Sequence, residues 1–113
     1  MAFTPKILGQ VNATTSNTDL YTVPSSTNTV VSTLAINNTT SSTATATVYL
    51  RKASAGTPAA AATSNALLSA NTIAANSTTF ITVGLTMAAA DVITVTSGTS
   101  GALTFHAFGS ELA

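Results

Sequence analysis

The apolar residues of this 113-residue chain fall into short runs that alternate with polar clusters. The runs are roughly five to nine residues long, and Asn, Ser, Thr, Gly and Pro separate them, which is typical of strands joined by turns. In the run 43–51, strict alternation places Ala44, Ala46 and Val48 on one face and threonines on the other. The sequence therefore predicts an all-β domain.

About eight such runs follow one another at a spacing of roughly 8 to 12 residues, and none has the period of an amphipathic helix. This pattern predicts one antiparallel β-sandwich over residues 1–113, jelly-roll-like, with a small barrel as the alternative. The predicted strands are 6–11, 20–23, 29–37, 43–51, 66–69, 78–85, 92–96 and 102–108.

Two segments are expected to lie outside the strand pattern. We interpret residues 1–5 as an N-terminal arm that is flexible or bound to a partner. Residues 52–65 are predicted to be the longest loop, because they contain Gly56, Pro58 and four consecutive alanines. Those alanines could instead nucleate a helical turn.

Alternation also assigns strand residues to faces. In the run 29–37, Val30, Leu34 and Ile36 share one face. Four aromatic residues in predicted strands are expected to have a role in the core. These four are Tyr21, Phe80, Phe105 and Phe108.

Charged residues make up only 5% of the chain, against about 25% in typical soluble domains, and the net charge is zero. Lys6, Arg51 and Lys52 are the only basic side chains, too few to hold nucleic acid through its phosphates. The chain has instead 24 Thr, 21 Ala and 13 Ser. Uncharged strand faces such as that of Thr45 and Thr47 are adhesive, so we expect the domain to work inside an assembly.

Other compositional features exclude further classes of function. The chain has no Cys, which rules out disulfides, thiolate zinc sites and Cys nucleophiles. Uncharged stretches are full of Thr, Ser and Asn, so no segment is predicted to cross a membrane. Residues 1–6 lack the basic and apolar regions of a signal peptide, and we expect none.

Candidate groups for catalysis are few: one His, two Asp and one Glu. His106 lies in the last predicted strand with no acidic residue nearby in sequence, so we interpret it as a residue of a strand face, with a base or metal ligand as the alternative. No Gly-x-Ser-x-Gly motif surrounds any Ser. The sequence therefore predicts no catalytic, cofactor-binding or metal-binding residues and no enzymatic activity.

Asp19 and Asp91 each precede a predicted strand, where Asp usually accepts backbone N–H bonds and fixes the turn. A calcium site would need several carboxylates close together. Arg51 and Lys52 end a strand, and are either solvated or form a salt bridge to a partner chain. Four Asn-x-Ser/Thr sequons, at Asn12, Asn37, Asn38 and Asn76, are expected by chance in a chain this rich in Ser and Thr.

Several strand and turn motifs carry a resemblance to a known family. They are KILGQ at 6–10, LYTVP at 20–24, VVSTL at 30–34, ITVGLTMAAADVITV at 81–95 and FGSE at 108–111. Together they resemble a family of small virion structural proteins of tailed bacteriophages, in particular cyanophages. The resemblance covers nearly the whole chain and is weakest at 53–76.

This resemblance implies a capsid decoration (cement) protein, made in the host cytoplasm, that binds the major capsid protein on the outer surface of the phage head. Such a protein stabilises contacts between capsid subunits and needs adhesive area, but no cofactor, nucleic acid or membrane. We expect a homo-oligomer, first of all a trimer. The alternative is a neck, tail or fibre module that contacts other virion proteins or host surface glycans.

Overall fold

A computed structural model of the chain describes residues 3–54 and 57–112, most of which form β-strands. Within these ranges, no helix has the length and hydrophobicity needed to cross a bilayer. The strands are β1 (Phe3–Asn12), β2 (Thr18–Thr22), β3 (Asn28–Asn38), β4 (Ala44–Arg51), β5 (Ala53–Ser54), β6 (Thr57–Pro58), β7 (Ala66–Ile73), β8 (Thr78–Met87), β9 (Val92–Ser97) and β10 (Leu103–Leu112).

The eight longer strands form two antiparallel four-stranded sheets. Sheet A has the order β1-β10-β3-β8, and sheet B has the order β2-β9-β4-β7. The chain passes from one sheet to the other between most successive strands, and its first and last strands are neighbours, which is a jelly-roll arrangement. The predicted jelly-roll sandwich is therefore confirmed, with ten strands in place of about eight, because β5 and β6 form an additional hairpin.

Each of the eight predicted runs overlaps one of the longer strands, and the differences lie at strand ends. β1 begins at Phe3 and β10 ends at Leu112, because the backbones of these two strands stay paired over that whole length. This pairing does not depend on apolar side chains, so the sequence pattern underestimates it. β7 likewise continues to Ile73, whose side chain is fully buried.

Two predicted irregular segments are more ordered than a sequence pattern indicates. Residues 3–5 of the predicted arm 1–5 belong to β1, and residues 1–2 lie outside the described part of the chain. The predicted loop 52–65 contains the hairpin β5–β6 and a 3-10 turn at Thr63–Asn65, with residues 55–56 outside the description. The run of alanines is not helical, and the 3-10 turn follows it.

The core lies between the inner faces of the two sheets. In β4, Ala44, Ala46 and Val48 are buried, as alternation predicts. Burial of the apolar side chains of the whole core supplies most of the stabilisation available to a domain with so few ion pairs. The largest fully buried apolar side chains are Phe105, Leu34, Ile36, Ile73, Ile93, Leu103, Val23, Val31, Val48 and Val95.

A β-bulge in β3 changes which of its residues face the core. Against β10, Thr33 and Val31 pair with the consecutive residues Phe108 and Gly109, so Ser32 is an extra residue of β3. The pairing with β8 is also irregular here, but there two residues of β8 lie opposite Ser32. Val31 and Ile36 are fully buried, whereas Val30 is 38% exposed. The predicted grouping of Val30 with Ile36 is therefore wrong, because the bulge turns Val30 to the outer face of sheet A.

Candidate interaction surface

The outer face of sheet A carries the exposed large hydrophobic side chains of the described residues. These are Ile7, Val30 and Phe80, which are 54%, 38% and 68% exposed. One exposed apolar side chain is ordinary, but three on one sheet face with little charge mark that face as a candidate interaction surface.

Strand register shows that these side chains share a face. Gln10 of β1 pairs with His106 of β10, His106 pairs with Ala35 of β3, and Ala35 pairs with Phe80 of β8. Directly paired residues of neighbouring strands point to the same side of a sheet, so this row crosses the whole outer face. It runs from an amide at one edge to an exposed phenyl ring at the other.

The next row on the same face is also uncharged. Ile7 pairs with Phe108, Phe108 with Thr33, and Thr33 with Thr82. Phe108 is partly buried, and its ring is stacked with the His106 ring, with centroids 6.2 Å apart and planes 3° from parallel. The middle of the face is thus an aromatic pair flanked by Ile7 and threonines.

His106 lies on this face, as predicted, and is held by uncharged neighbours. The amide nitrogen Nε2 of Gln10 is 3.0 Å from Nδ1 of His106. Because that amide can only donate, Nδ1 accepts, and a neutral His106 carries its proton on Nε2. Across the described ranges, no three His, Cys, Asp or Glu side chains come close enough together to hold a metal ion.

The outer face of sheet B is built differently, around an ion pair. Nη1 of Arg51 donates to Oδ1 of Asp19 at 3.2 Å and to Oγ1 of Thr94 at 3.2 Å. The Thr94 hydroxyl in turn donates to the same Asp19 oxygen at 2.9 Å. Asp19 therefore accepts from side chains and not from a backbone turn as predicted, and the Arg51 partner lies in its own chain.

Residues 57–65 fold back against this face of sheet B. Nε of Arg51 donates to the carbonyl oxygen of Ala59 at 2.7 Å, and the N–H of Ala59 donates to the carbonyl of Lys52 at 2.9 Å. Asn65 closes the following turn through hydrogen bonds with the backbone of Ala60 and Ala62. The chain thus covers part of sheet B with its own loop.

Asp91 fixes a turn, as predicted from its position before β9. Its Oδ2 accepts the N–H of Ala88 at 3.0 Å within the turn, and its Oδ1 accepts the N–H of Ala53 at 2.8 Å. The second bond ties the start of the 52–65 loop to this turn. Both oxygens of the carboxylate are used in holding backbone.

A polar cluster between the two sheets uses Glu111, Tyr21, Lys6 and Thr29. Nζ of Lys6 lies 2.8 Å from Oε1 of Glu111, and the Tyr21 hydroxyl donates to Oε2 at 2.5 Å. The Tyr21 oxygen is also 2.8 Å from the hydroxyl of Thr29, which is fully buried. This cluster connects β2 of sheet B to three strands of sheet A.

The surroundings of the cluster shift two pKa values. Burial, and then the hydrogen bond to Glu111, raise the pKa of Tyr21 to about 12. The hydrogen bonds from Lys6 and Tyr21 lower the pKa of Glu111. Both shifts favour a neutral Tyr21 phenol that donates to an ionised Glu111 carboxylate. This arrangement is structural, and it does not prepare either group for proton transfer near pH 7.

A cleft of about 630 Å³ opens at one end of the sandwich, beside the last residues of β8. Its walls are mostly apolar, with Leu50, Leu85 and Met87 among them. Arg51 and Asp91 also line it, but their side chains are engaged by the contacts given above. The cleft gathers no group of residues suited to catalysis.

The sequon residues serve the fold. Asn38 is 1% exposed, and its amide donates to the carbonyls of Ser42 and Ile73 while its oxygen accepts from Thr40. Asn76 adopts a positive φ of 53° in the turn before β8. These roles fit the view that the sequons occur by chance.

The interpretation of the sequence missed two features. Phe80 was expected in the core and is instead the most exposed large hydrophobic residue of the described chain, although alternation with Ile81 shows that only one of the two can face inwards. The contact between Tyr21 and Glu111 joins residues 90 positions apart, and no local signal predicts it.

Comparisons with known proteins give no family. No family model matches the chain, and no curated protein matches it. Similar chains occur in the structures of infectious bursal disease virus Gx strain (14% identity, TM-score 0.41, 96% of this chain) and Gt strain (15%, 0.39, 97%). The present chain spans 28% of the matched chain in each case. At this identity and score, neither likeness bears on function.

Proposed function

We propose that this protein is a non-enzymatic virion structural protein of a tailed bacteriophage. Its role is that of a cement protein, which binds the major capsid protein on the outer surface of the head and stabilises contacts between capsid subunits. It is made in the host cytoplasm and acts as a homo-oligomer, without cofactor, nucleic acid or membrane.

The observation that carries this proposal is the outer face of sheet A. Ile7, Val30 and Phe80 are exposed there, and within the described ranges His106 is the only titratable side chain on that face. A protein that works alone usually protects such a face with charge. Many copies of a small apolar contact can together hold a large assembly, which is what a cement protein requires.

The fold and the use of polar groups support the same role. Jelly rolls are frequent among viral capsid and lectin domains. The ionisable groups Asp19, Asp91 and Glu111 are engaged in holding strands and turns, with hydrogen bonds of 2.5–3.2 Å. Little polar chemistry is therefore left for catalysis, while a face with little charge and exposed apolar side chains is left for binding.

The test is binding of the purified protein to expanded capsids that lack it, followed by co-sedimentation. We expect saturable binding, which Ile7→Glu weakens by at least about tenfold, because a carboxylate would be buried against the capsid without a partner. Thr72→Glu is the matched control: Thr72 is exposed on the outer face of sheet B, and its substitution should leave the affinity unchanged.

Copy number in the virion gives an independent answer. A number of copies far below that of the major capsid protein, or a location on the tail, would contradict the cement role. Binding to host cells or glycans in place of capsids would instead support a neck, tail or fibre module.

A further inference from the structure

Three of the four edge strands of the sandwich are protected against pairing with another chain. β1 carries Pro5 and Lys6, and β2 is only five residues long and carries Asp19. β7 is interrupted by register shifts and by Ala70, whose φ is 46°. Pro, charges, short length and irregular backbone are the usual means of blocking an edge.

The fourth edge strand, β8, lacks this protection along its first half. β8 has ten residues with neither Pro nor charge, and its pairing with β3 stays regular from Thr78 to Thr82. The irregularity comes only after Thr82. At Gly84 an added Cβ would meet nothing within 4 Å, so no other segment packs on the face of the strand at that position.

The backbone of this segment presents hydrogen-bonding groups to the open edge. The carbonyl of Ser77 accepts the N–H of Asn38, so Ser77 is directed towards β3. In an antiparallel sheet, successive residues direct their N–H and C=O groups to opposite sides. Thr78, Phe80 and Thr82 therefore direct theirs away from β3, towards the open side of the sheet.

We infer that β8 pairs with β8 of a second copy of this chain, antiparallel about a two-fold axis at Phe80. Thr78 then lies opposite Thr82 of the other copy, and Phe80 lies opposite its own equivalent. Aromatic and Thr–Thr pairs are among the favourable cross-strand pairs. The three hydrogen-bonded pairs supply about six interchain hydrogen bonds, two for each pair.

A second copy fits this edge because the segment is its own complement. A two-fold axis brings identical surfaces together, so each Thr and each Phe meets a matching residue, and no charge on β8 repels its equivalent. The resulting dimer differs from the trimer expected from the sequence. It is also independent of any contact with a capsid.

The dimer would join two copies of sheet A into one eight-stranded sheet whose outer face carries little charge. Four strands spaced about 4.8 Å apart and about 33 Å long give a face of about 600 Å² for each copy. Two joined faces exceed the roughly 800 Å² that each partner contributes to a standard protein interface. Dimerisation through β8 thus provides the binding area that one copy lacks.

The test is analytical ultracentrifugation of the purified protein and two variants of β8. We expect a dimer, and we expect Phe80→Lys and Thr82→Pro to raise its dissociation constant at least about 100-fold. Phe80→Lys places like charges opposite each other. Thr82→Pro removes an N–H that points to the partner and not to β3, so the fold should tolerate it, which circular dichroism checks. Ile7→Glu is the control on the far strand of the same face and should leave the dimer intact.

Mixing charge variants tests the register itself. Phe80→Lys and Phe80→Glu should each be monomeric, and their mixture should recover a heterodimer, because residue 80 lies opposite residue 80. A wild-type monomer or trimer, a dimer that survives both β8 substitutions, or a mixture that stays monomeric would each overturn the inference. The two proposals fail independently of each other. If a monomeric β8 variant still binds capsids, binding to the capsid does not require the dimer, and if the dimer forms but does not bind capsids, only the proposed function is contradicted.

Discussion

The two outer faces of the sandwich use the same composition in opposite ways. The outer face of sheet B carries the ion pair of Arg51 with Asp19, with the buried hydroxyl of Thr94 between them. Residues 57–65 of the same chain cover part of this face. The outer face of sheet A exposes Ile7 and Phe80. Within the described ranges, no backbone hydrogen bond holds a loop over this face.

This difference shows where scarce charge is placed in the molecule. Both ion pairs found among the described residues, Lys6 with Glu111 and Arg51 with Asp19, hold strands of one chain together. Neither supplies charge to the outer face of sheet A. The threonine-rich face expected to be adhesive is that of Thr45 and Thr47, which are half-buried on sheet B. The uncovered face is therefore that of sheet A, where Ile7 and Phe80 are exposed.

The difference between the two outer faces should be most sensitive to substitution of Gly109, because Gly109 permits the bulge that turns Val30 outwards. A Cβ at Gly109 would collide with the backbone carbonyl of Val30, which cannot move as a side chain can. Gly109→Ala should therefore lower the free energy of unfolding by about 3 kcal/mol. Urea denaturation monitored by circular dichroism measures this change.

Gly84→Ala is the matched control for this substitution. Gly84 is also a strand glycine of sheet A, but an added Cβ there meets open space. Its effect should stay within about 0.5 kcal/mol. Equal effects of the two substitutions would show that the close approach at Gly109 does not maintain the bulge.

The bulge also marks the limit of what the sequence predicts. Alternation of Val and Thr with small residues located all eight longer strands, because each strand has one buried face and must repeat every two residues. An extra residue such as Ser32 is defined by the pairing of β3 with β10, and the run 29–37 does not reveal it. The position of Val30 therefore could not be predicted, whereas that of Phe80 could, because it alternates with Ile81.

An intermediate effect is expected from Tyr21, which links the sheets without touching either outer face. Its pKa rises from 10.0 to about 12 in the fold, so its contribution to stability is complete below pH 10 and is lost as pH rises towards 12. The loss should be about 2 kcal/mol. Urea unfolding across this pH range measures it, and a Tyr21→Phe variant should lack this decline, since it has no phenol at that position to ionise.

The smallest effect should come from Arg51 on sheet B. Arg51→Met keeps an apolar stem of similar length but removes the donors to Asp19, Thr94 and the carbonyl of Ala59. We expect a loss of about 1 kcal/mol, because the pair is partly exposed and its Coulomb energy is screened by solvent. Faster cleavage in the loop 52–65 by a protease of broad specificity should accompany it.

The neighbouring Lys52→Met separates the loss of a charge from the loss of these contacts. Lys52 is exposed, and its removal changes net charge by the same amount as the removal of Arg51. Of the two variants, only Arg51→Met should release the loop, since the side chain of Arg51 donates to the carbonyl of Ala59. If both variants are cleaved at the same rate, the loop covers sheet B without the help of the ion pair, and the two outer faces differ less in construction than their contacts indicate.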